Sequence, residues 1–277
     1  GSGAREHAIA KSLEKSKHPK MIYCLATNMN PGIAEICEEI LIGNINDNQF
    51  VCDYGKEIGA TIAIVGPENP LARGVSDSLW DNNIPVVGPK RELAQVETSK
   101  AFTRKLQHDY KIPGGPVYKY FRTIDGVEEF LKELGKNYVV KYDGLAGGKG
   151  VKVSGDHLKS HKEALNHCHS LIKNNQSFLI EEKFIGQEFS LMSFCDGKNL
   201  KHMPVVQDHK RAYEGDNGPN TGGMGTYTDH DHSLPFLNSK DIEQAAQINF
   251  QTARALKKKF KTGYKGILYG GFMATKN

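Results

Sequence analysis

The sequence lacks the features that mark secreted, membrane-spanning or nucleic-acid-binding proteins. Its five cysteines are odd in number and widely spaced, and no C-x-x-C pair occurs, which favours reduced thiols. No apolar run approaches the ~18 residues of a membrane-spanning helix, and no signal peptide is evident. The formal net charge is only +4 over 277 residues, so we expect no nucleic-acid partner. We therefore expect a cytoplasmic protein without membrane association.

A glycine-rich segment carries the clearest chemical signal. Lys141 ends the apolar run 138–140, and residues 144–151 read Gly-Leu-Ala-Gly-Gly-Lys-Gly-Val. A strand, a glycine loop and a second strand predict a hairpin whose turn can lie against a polyphosphate. Glycines let backbone N–H groups approach phosphate oxygens, and lysines supply positive charge. The segment is not a P-loop, because no Ser or Thr follows Lys149 and a strand follows the loop. An ordinary hairpin with exposed lysines is the alternative.

The first ninety residues alternate strand-like and helix-like stretches, which predicts a parallel α/β sheet. Ligands of such sheets bind beyond the carboxyl ends of the strands, where residues 28–32 and 66–70 fall. Gly1-Ser2-Gly3 ahead of a helix over 6–14 could bind phosphate at the helix N-terminus, or could be the remnant of a tag.

In the remainder of the chain, the sequence pattern predicts a helix, then a domain junction at the Pro/Gly-rich residues 111–116, and then a compact α+β unit. In that unit we expect Thr123–Leu134 to be a helix capped by Thr123 or Asp125 and ended by Gly135. The other expected elements are helices over 99–108, 160–173 and 240–260, and strands over 178–180, 188–195, 200–207 and 266–274. Strands 188–195 and 200–207 are joined at Asp196-Gly197, a hairpin signal.

Two further polar segments suggest ligand binding. Carboxylates follow strand 178–180, and burying them is costly unless they are exposed or bind something. Glu188 can accept both hydroxyls of a ribose; a solvated strand end is the alternative. Asp208, His209 and Lys210 precede a glycine-rich loop at 215–225, an arrangement that suits an anionic substrate. A purely structural role for Asp208 and His209 is the alternative there.

Taken together, these segments resemble the ATP-grasp ligases of purine biosynthesis, and among them the phosphoribosylamine–glycine ligase family. The resemblance spans nearly the whole chain in the right order. It is carried by Gly1-x-Gly3-x-Arg5-Glu6-His7, Val65-Gly66-Pro67-Glu68-x-Pro70-Leu71, Ser99-Lys100-Ala101-Phe102, Lys141-x-Asp143-Gly144-Leu145-Ala146-x-Gly148-Lys149-Gly150-Val151, Glu181-Glu182, Gln207-Asp208-His209-Lys210-Arg211 and Gly218-Pro219-Asn220-Thr221-Gly222-Gly223-Met224-Gly225.

The resemblance implies a mixed α/β and α+β fold: an N-terminal parallel-sheet domain of the pre-ATP-grasp type, followed by an ATP-grasp fold. The implied division is an N-terminal domain at 1–98, a helix and linker at 99–115, a lid subdomain at 116–183 and an incomplete core subdomain at 184–277. The resemblance also implies truncation at both ends, with a first strand before Gly1. The family's Mg²⁺-binding glutamate and asparagine would lie beyond Asn277, so we expect no metal ligand here, an inactive fragment and an active intact parent.

The implied reaction joins glycine to 5-phosphoribosylamine with ATP and Mg²⁺ (or Mn²⁺). It would give glycinamide ribonucleotide, ADP and phosphate through glycyl phosphate. Two alternatives remain open: another ATP-grasp carboxylate–amine ligase, and a non-catalytic nucleotide-binding fragment.

The resemblance also implies roles for individual residues. The catalytic residues would be Lys141, Asp208 and Lys210. ATP would be bound by Arg104, Lys141, Ala146, Gly147, Gly148, Lys149, Gly150, Val151, Glu181, Lys183, Phe184 and Glu188, with the adenine-hinge residues acting mostly through their backbone. The other substrates would be bound by Gly1, Gly3, Arg5, Asn30, Pro31, Gly32, Glu68, Asn220, Thr221, Gly222, Gly223, Met224 and Gly225. Three positions depart from the family pattern: Arg104 replaces a lysine, Tyr142 a small residue and Gln187 a glutamate.

Overall fold

The structure is a computed structural model of the chain, and it describes residues 1–146, 150–215 and 217–275. The chain folds into two compact units. The first comprises Gly1–Gln95 with Tyr264–Gly266, and the second comprises Val96–Gly263 with the residues from Ile267.

Unit 1 alternates helices with short strands, as its sequence predicts. Its elements are Ala4–Glu14 (α1), Tyr23–Ala26 (β1), Pro31–Ala34 (α2), Glu39–Ile42 (β2), Asn48–Glu57 (α3), Ala63–Ile64 (β3), Glu68–Arg73 (α4), Val75–Asp81 (α5) and Val86–Val87 (β4), and Arg91–Thr98 (α6) leads out of it. β1 pairs with β2 and β3 with β4, both in parallel. The parallel pairing is therefore confirmed, although the described strands form two separate pairs.

The core of unit 1 lies where α3 and α5 pack on the strand pair β3–β4. Cys52 of α3 and Val75 and Leu79 of α5 are buried against Val86. An apolar cavity of about 300 Å³ lies within the same unit, beside α1 and β1. Burial of these side chains fixes β3, and with it the position of the loop that follows β3.

Unit 2 contains most of the chain and all the elements after α6. They are Lys100–Asp109 (α7), Tyr118–Phe121 (β5), Val127–Leu134 (α8), Tyr138–Tyr142 (β6), Val151–Val153 (β7), His161–Lys173 (α9), Phe178–Glu182 (β8), Gly186–Asp196 (β9), Leu200–His202 (β10), Gln207–Tyr213 (β11), Asn217–Tyr227 (β12), Ser239–Phe260 (α10) and Lys265–Thr275 (β13), of which the first two residues belong to unit 1. The strands form sheets in the orders β5-β8-β6-β7, β10-β9-β13 and β11-β12.

The four-stranded sheet has two chemically different faces. β6 and β8 are antiparallel, with Val140 opposite Ile180 and Lys141 opposite Leu179. Because side chains alternate along a strand, Val140 and Ile180 share the face that packs on α8 and α9, where Phe130 is completely buried. Lys141 therefore points to the other face, which carries the chemistry described below.

Helix α9, which the sequence predicted over 160–173, begins at His161 and is capped by the side chain of Ser160. Ser160 Oγ accepts a hydrogen bond from the backbone N–H of Glu163 (3.2 Å). We expect Ser160→Ala to lower the free energy of unfolding by about 1 kcal/mol, because one N–H of the first turn loses its acceptor. Urea denaturation measures this loss. Ser160→Asp should retain most of the stability, and Ser170→Ala, on an exposed position of the same helix, should change it little. An equal loss at Ser160 and Ser170 would contradict the capping role.

Several sequence-based boundaries were wrong. α8 begins at Val127 with Gly126 as its N-cap, so Thr123 and Asp125 do not cap it; the Thr123 hydroxyl instead donates to the Asp125 carboxylate (3.0 Å). The hairpin across Asp196-Gly197 is confirmed, but its second strand is only Leu200–His202.

The largest correction concerns residues 215–225, which the sequence presented as a glycine-rich loop. Most of this segment is strand β12, paired antiparallel with β11. Gly218, Gly223 and Gly225 have φ values of +86°, +123° and +138°, which glycine adopts readily and other residues rarely do. Cross-strand hydrogen bonds order a segment whose composition has little strand propensity.

The cysteines lie in the described part of the chain and form no disulfide. Cys168 is completely buried in the core of the four-stranded sheet, and burial raises the pKa of its thiol to about 12. Among the helices that the structure describes, none combines the length and the apolar composition needed to cross a bilayer.

Candidate functional site

A buried carboxylate organises the polar face of the four-stranded sheet. Glu181 of β8 has a side chain only 2% exposed, and two cations hold it. Arg104 of α7 donates from Nε to Oε1 (2.7 Å) and from Nη2 to Oε2 (3.1 Å). Lys141 of β6 places Nζ 2.6 Å from Oε2. One carboxylate thus fixes the positions of both cations on this face.

The protonation of Glu181 follows from these contacts. Burial alone would raise the pKa of its carboxyl, but the hydrogen bonds from Arg104 and the charge of Lys141 outweigh burial and lower it. Glu181 is therefore ionised at neutral pH. Its side chain, and not only its backbone, has a place in the site, which the sequence reading did not anticipate.

A second carboxylate joins the two motifs that flank this face. Asp143 follows β6, and its Oδ1 accepts hydrogen bonds from the Ser99 hydroxyl (3.1 Å) and the backbone N–H of Ala101 (3.1 Å). Both donors lie at the N-terminus of α7, where unsatisfied backbone N–H groups favour an anion. Asp143 therefore sets the position of α7, and with it the position of Arg104.

Lys100, the first residue of α7, reaches the start of the glycine segment. Its Nζ donates to the carbonyl oxygen of Gly144 (2.9 Å), and its side chain is half-buried. Burial lowers the pKa of Lys100, opposed by the charge of Asp143. The Ser99-Lys100 motif and the Lys141-x-Asp143 motif are therefore in direct contact. The sequence analysis predicted no role for Lys100.

The glycine segment connects β6 to β7 as the predicted hairpin, with Lys141 opposite Val151. Near the ends of the segment, Tyr142 donates its backbone N–H to Gly150 (2.8 Å), and a Cβ on Gly150 would lie 2.9 Å from that of Ala146. Gly150 is therefore required by this close approach. Of the predicted phosphate-binding positions, Gly147, Gly148 and Lys149 lie outside the described residues.

The predicted hinge residues follow β8 directly. The backbone N–H of Lys183 donates to Asn137 (3.0 Å), and its Nζ donates to the carbonyl oxygen of Ser154 (3.0 Å). Phe184 is half-buried. These two hydrogen bonds from Lys183 connect the segment after β8 to the turn before β6 and to the turn after β7.

An ion pair connects two residues that the sequence placed in different subsites. Glu188 of β9, predicted to bind ribose, pairs with Lys210 of β11, predicted to serve the acceptor side. Asp208 lies 3.9 Å from the same ammonium group. Burial would lower the pKa of Lys210, but the hydrogen bond and charge of Glu188 raise it. Both carboxylates are partly exposed and open to a ligand.

The β11–β12 hairpin carries the other predicted acceptor-side residues. Thr221 donates its hydroxyl to the Lys210 carbonyl (3.0 Å) and accepts from the Gly223 N–H (3.1 Å). Gly225 lies opposite His209 in the register, and Met224 is 59% exposed. Asn220 and Gly222 lie within the same strand. The hairpin therefore holds the Thr221 hydroxyl on the Lys210 carbonyl and leaves the Met224 side chain exposed.

In unit 1, the predicted residues gather where β1 and β3 end. Arg5 at the start of α1 donates to Glu68 (2.7 Å) and to the carbonyl oxygen of Gly66 (2.6 Å). Asn30 accepts from the backbone N–H of Ile33 (3.2 Å), which caps α2, and donates to Ser2 (3.0 Å). These contacts place Arg5 and Asn30 at the carboxyl edge of the strands.

The remaining predicted residues of unit 1 shape the same edge. Gly3 donates its backbone N–H to the Glu6 carboxylate (2.7 Å), and the Gly1 nitrogen donates to the Leu25 carbonyl (2.6 Å). Pro31 is the first residue of α2. A Cβ on Gly32 would lie 2.4 Å from the His7 ring, so only glycine fits there without a shift.

The chain matches known families over its whole length. Residues 1–97 match the N domain of phosphoribosylglycinamide synthetase, and residues 98–277 match its ATP-grasp (A) domain. The phosphoribosylamine–glycine ligase of Methanosarcina acetivorans is 48% identical over 275 residues, which are 99% of this chain and 62% of that relative. The ligase of Methanosarcina barkeri is also 48% identical, over 99% of this chain and 63% of that relative. The chain thus spans a little under two thirds of the length of these curated relatives.

Solved structures agree on the fold. The crystal structure of phosphoribosylamine–glycine ligase from Thermotoga maritima matches with a TM-score of 0.78 at 27% identity, over 100% of this chain and 64% of that one. An ADP complex of N5-carboxyaminoimidazole ribonucleotide synthetase matches with a TM-score of 0.68 over 98% of this chain and 64% of that one; at 16% identity this likeness shows the fold alone. The fold is therefore that of the ATP-grasp enzymes, with an α/β domain ahead of the ATP-grasp domain, and the chain belongs to the phosphoribosylglycinamide synthetase (phosphoribosylamine–glycine ligase) family.

Proposed function

We propose that the protein to which this chain belongs joins glycine to 5-phosphoribosylamine with the hydrolysis of ATP. The products are glycinamide ribonucleotide, ADP and phosphate, and glycyl phosphate is the intermediate. The observation that carries the proposal is the group of cations around Glu181, placed beside the glycine segment. In a ligase of this kind, catalysis consists mainly of orienting the reactants and stabilising charge on the transferred phosphoryl group.

We infer that the nucleotide lies on the polar face of the four-stranded sheet. Lys141 and Arg104 supply charge to the phosphates, Ala146–Val151 cover them, and the segment from Glu181 to Phe184 lies against the adenine. Glu188 accepts hydrogen bonds from the ribose hydroxyls. In this assignment residues 116–183 form the lid, residues 99–115 connect the lid to the N-terminal domain at 1–98, and the core subdomain begins at 184.

The acceptor side is proposed from two groups of residues. Asp208, Lys210 and the segment Asn220–Gly225 hold the glycine side of the reaction. Gly1, Gly3, Arg5, Asn30–Gly32 and Glu68 hold phosphoribosylamine, whose phosphate suits a helix N-terminus with a neighbouring arginine. Each group lies within one compact unit.

Mg²⁺ (or Mn²⁺) is the ion that would accompany ATP and neutralise its phosphate charge. Within residues 1–146, 150–215 and 217–275, no three His, Cys, Asp or Glu side chains are grouped so as to hold a metal ion.

The proposal is tested with the full-length gene product. Incubation with ATP, glycine and phosphoribosylamine should form glycinamide ribonucleotide and ADP in equal amounts, detected by mass spectrometry, and omission of any one substrate should abolish the product. If ADP forms only with a different carboxylate or amine, the protein is another carboxylate–amine ligase. Absence of nucleotide binding under all conditions would contradict the proposal.

The ribose assignment gives a prediction of its own. In the full-length gene product, Glu188→Gln should raise the KM for ATP about tenfold and change the KM for glycine little. An amide accepts the ribose hydroxyls more weakly than a carboxylate, and Glu188 is half-exposed, which places the effect at the low end for a bond to a charged group. Steady-state kinetics measures it.

Gln187→Ala is the matched control, because this exposed neighbour points to the opposite side of β9. If Glu188→Gln changed only the KM for glycine, Glu188 would belong to the acceptor side.

A further inference from the structure

The turn that follows β7 is held by local hydrogen bonds and carries a carboxylate. We call residues 154–158 the β7 turn. The backbone N–H of His157 donates to the Val153 carbonyl (2.9 Å), and His157 Nδ1 accepts a hydrogen bond from the backbone N–H of Val153 (3.2 Å). Gly155 has a φ of +84°, which glycine adopts readily. These contacts fix the backbone around Asp156, whose side chain is half-exposed.

Asp156 forms an ion pair with an arginine of β11. Arg211 Nη2 lies 3.3 Å from Asp156 Oδ2, although 55 residues separate the two in the chain. The Arg211 side chain is only 20% exposed, so solvent and salt screen this pair less than they would screen two fully exposed charges. A charged contact therefore connects the β7 turn to β11.

The same guanidinium group also binds β12. Arg211 Nη1 donates to the Gly218 carbonyl (2.8 Å), and Arg211 lies opposite Asn220 in the register of the hairpin. The register shifts on both sides of Arg211, so the regular ladder is interrupted here. A planar guanidinium group donates in several fixed directions at once, which a lysine ammonium group does not. Arg211 thus connects the β7 turn to both strands of the hairpin.

The β7 turn also contacts the segment after β8. The Ser154 carbonyl accepts a hydrogen bond from Lys183 Nζ (3.0 Å), and Lys183 belongs to the segment proposed to lie against the adenine. On β11, the residue next to Arg211 is Lys210, which pairs with Glu188. The β7 turn is therefore connected both to the proposed adenine segment and to the strand that carries Lys210.

We propose that Arg211 is a positioning residue for the reaction, acting through its ion pair with Asp156. This inference rests on the proposed function, which assigns the phosphates to the glycine segment and the glycine side of the reaction to the β11–β12 hairpin. β7 leads directly from Val151, the last residue of the glycine segment, into the β7 turn. The ion pair therefore sets the distance between the phosphoryl donor and the carboxylate that attacks it.

A positioning role predicts an effect on turnover and little effect on nucleotide binding. Neither Arg211 nor Asp156 is assigned to the nucleotide in the proposed function. Attack of a carboxylate on a phosphoryl group requires the two groups to be close and in line, and a small misplacement lowers the rate strongly. Loss of the ion pair should therefore lower kcat and leave the Kd for ATP nearly unchanged.

The test uses the full-length gene product. Initial rates of glycinamide ribonucleotide formation at saturating substrates give kcat, and calorimetry gives the Kd for ATP. Asp156→Asn keeps the size of the side chain and removes its charge, and it should lower kcat about fivefold. Arg211→Met, which also removes the contact to Gly218, should lower kcat about 10- to 100-fold. In both variants the Kd for ATP should stay within about twofold of the wild type. Arg211→Lys, which keeps the charge without the planar group, should have an intermediate kcat.

The double variant shows whether the two residues act as a pair. Asp156→Asn/Arg211→Met should have the same kcat as Arg211→Met, because the ion pair is already lost in that single variant. Two exposed residues provide matched controls that should keep the kcat of the wild type. They are Asp125→Asn, whose carboxylate accepts from the Thr123 hydroxyl, and Arg254→Met on α10.

The outcomes are distinguishable. An unchanged kcat in Asp156→Asn, or losses that add in the double variant, would overturn the role of the ion pair and leave the proposed function standing. A Kd for ATP that rises as much as kcat falls would also overturn it, because Arg211 would then serve nucleotide binding. A wild-type protein that forms no glycinamide ribonucleotide from ATP, glycine and phosphoribosylamine would instead overturn the proposed function.

Discussion

Replacing Lys141 with alanine is expected to lower kcat/KM of the full-length gene product for ATP by roughly 10²–10³-fold. Lys141 projects from the end of β6 beside the glycine segment, and its ammonium group lies in a partly buried site where charge is weakly screened. Removing one donor that stabilises charge in a transition state costs about 2.7–4 kcal/mol in enzymes of known mechanism. Initial rates of ADP formation at saturating glycine and phosphoribosylamine measure the effect.

The stability of the Lys141→Ala variant should fall only modestly, because Glu181 retains both hydrogen bonds from Arg104. Lys162→Ala, an exposed position on α9, is the control and should keep wild-type kinetics. A kcat near that of the wild type at saturating ATP would remove Lys141 from the catalytic group.

Replacing Arg104 with alanine is expected to lower the free energy of unfolding by about 3–5 kcal/mol, the usual cost of removing one partner from a buried ion pair. Glu181 has a side chain 2% exposed and would keep only Lys141. Urea denaturation of the full-length gene product measures the loss.

The double variant Arg104→Met/Glu181→Leu should recover most of this loss, because no buried carboxylate remains. Equal instability of the single and double variants would contradict the account, since the loss would then come from packing around α7.

The same ion pair predicts how stability depends on pH. The pKa of Glu181 is lowered in the folded protein, so the ionised carboxylate makes its full contribution to the free energy of unfolding above the ordinary carboxyl pKa, about 4.3. That contribution is lost as the pH falls through the lowered pKa of the folded protein. The difference in stability between the wild type and Glu181→Leu should therefore shift in favour of Glu181→Leu below about pH 4.

The sequence predicted the polar face only in part. The hairpin of β6 and β7 followed from an apolar run ending in Lys141 and glycines after it, because local pattern determines both. The place of Glu181 did not follow, since a carboxylate at a strand end is more often solvated. Its burial depends on Arg104, which is 77 residues away in the chain.

Strand β12 is a second feature that the sequence did not predict. Its glycines predicted a loop, and only pairing with β11 makes it a strand. The pair of Glu188 and Lys210 was likewise missed, although both residues were singled out, because each was assigned to a different substrate. Alternation along β8 could have indicated that Glu181 shares a face with Leu179, but only the register of β6 against β8 places Lys141 on that face.

The hydrogen bond from Ser99 to Asp143 joins positions 44 residues apart. Loss of either side chain would leave the N-terminus of α7 without part of its cap, and a hydroxyl and a carboxylate are not interchangeable here. Across relatives, the residues at positions 99 and 143 should therefore change together. In directed evolution, a single substitution at either position should be selected against because it destabilises the N-terminus of α7, and a compensating substitution at the other position should restore stability.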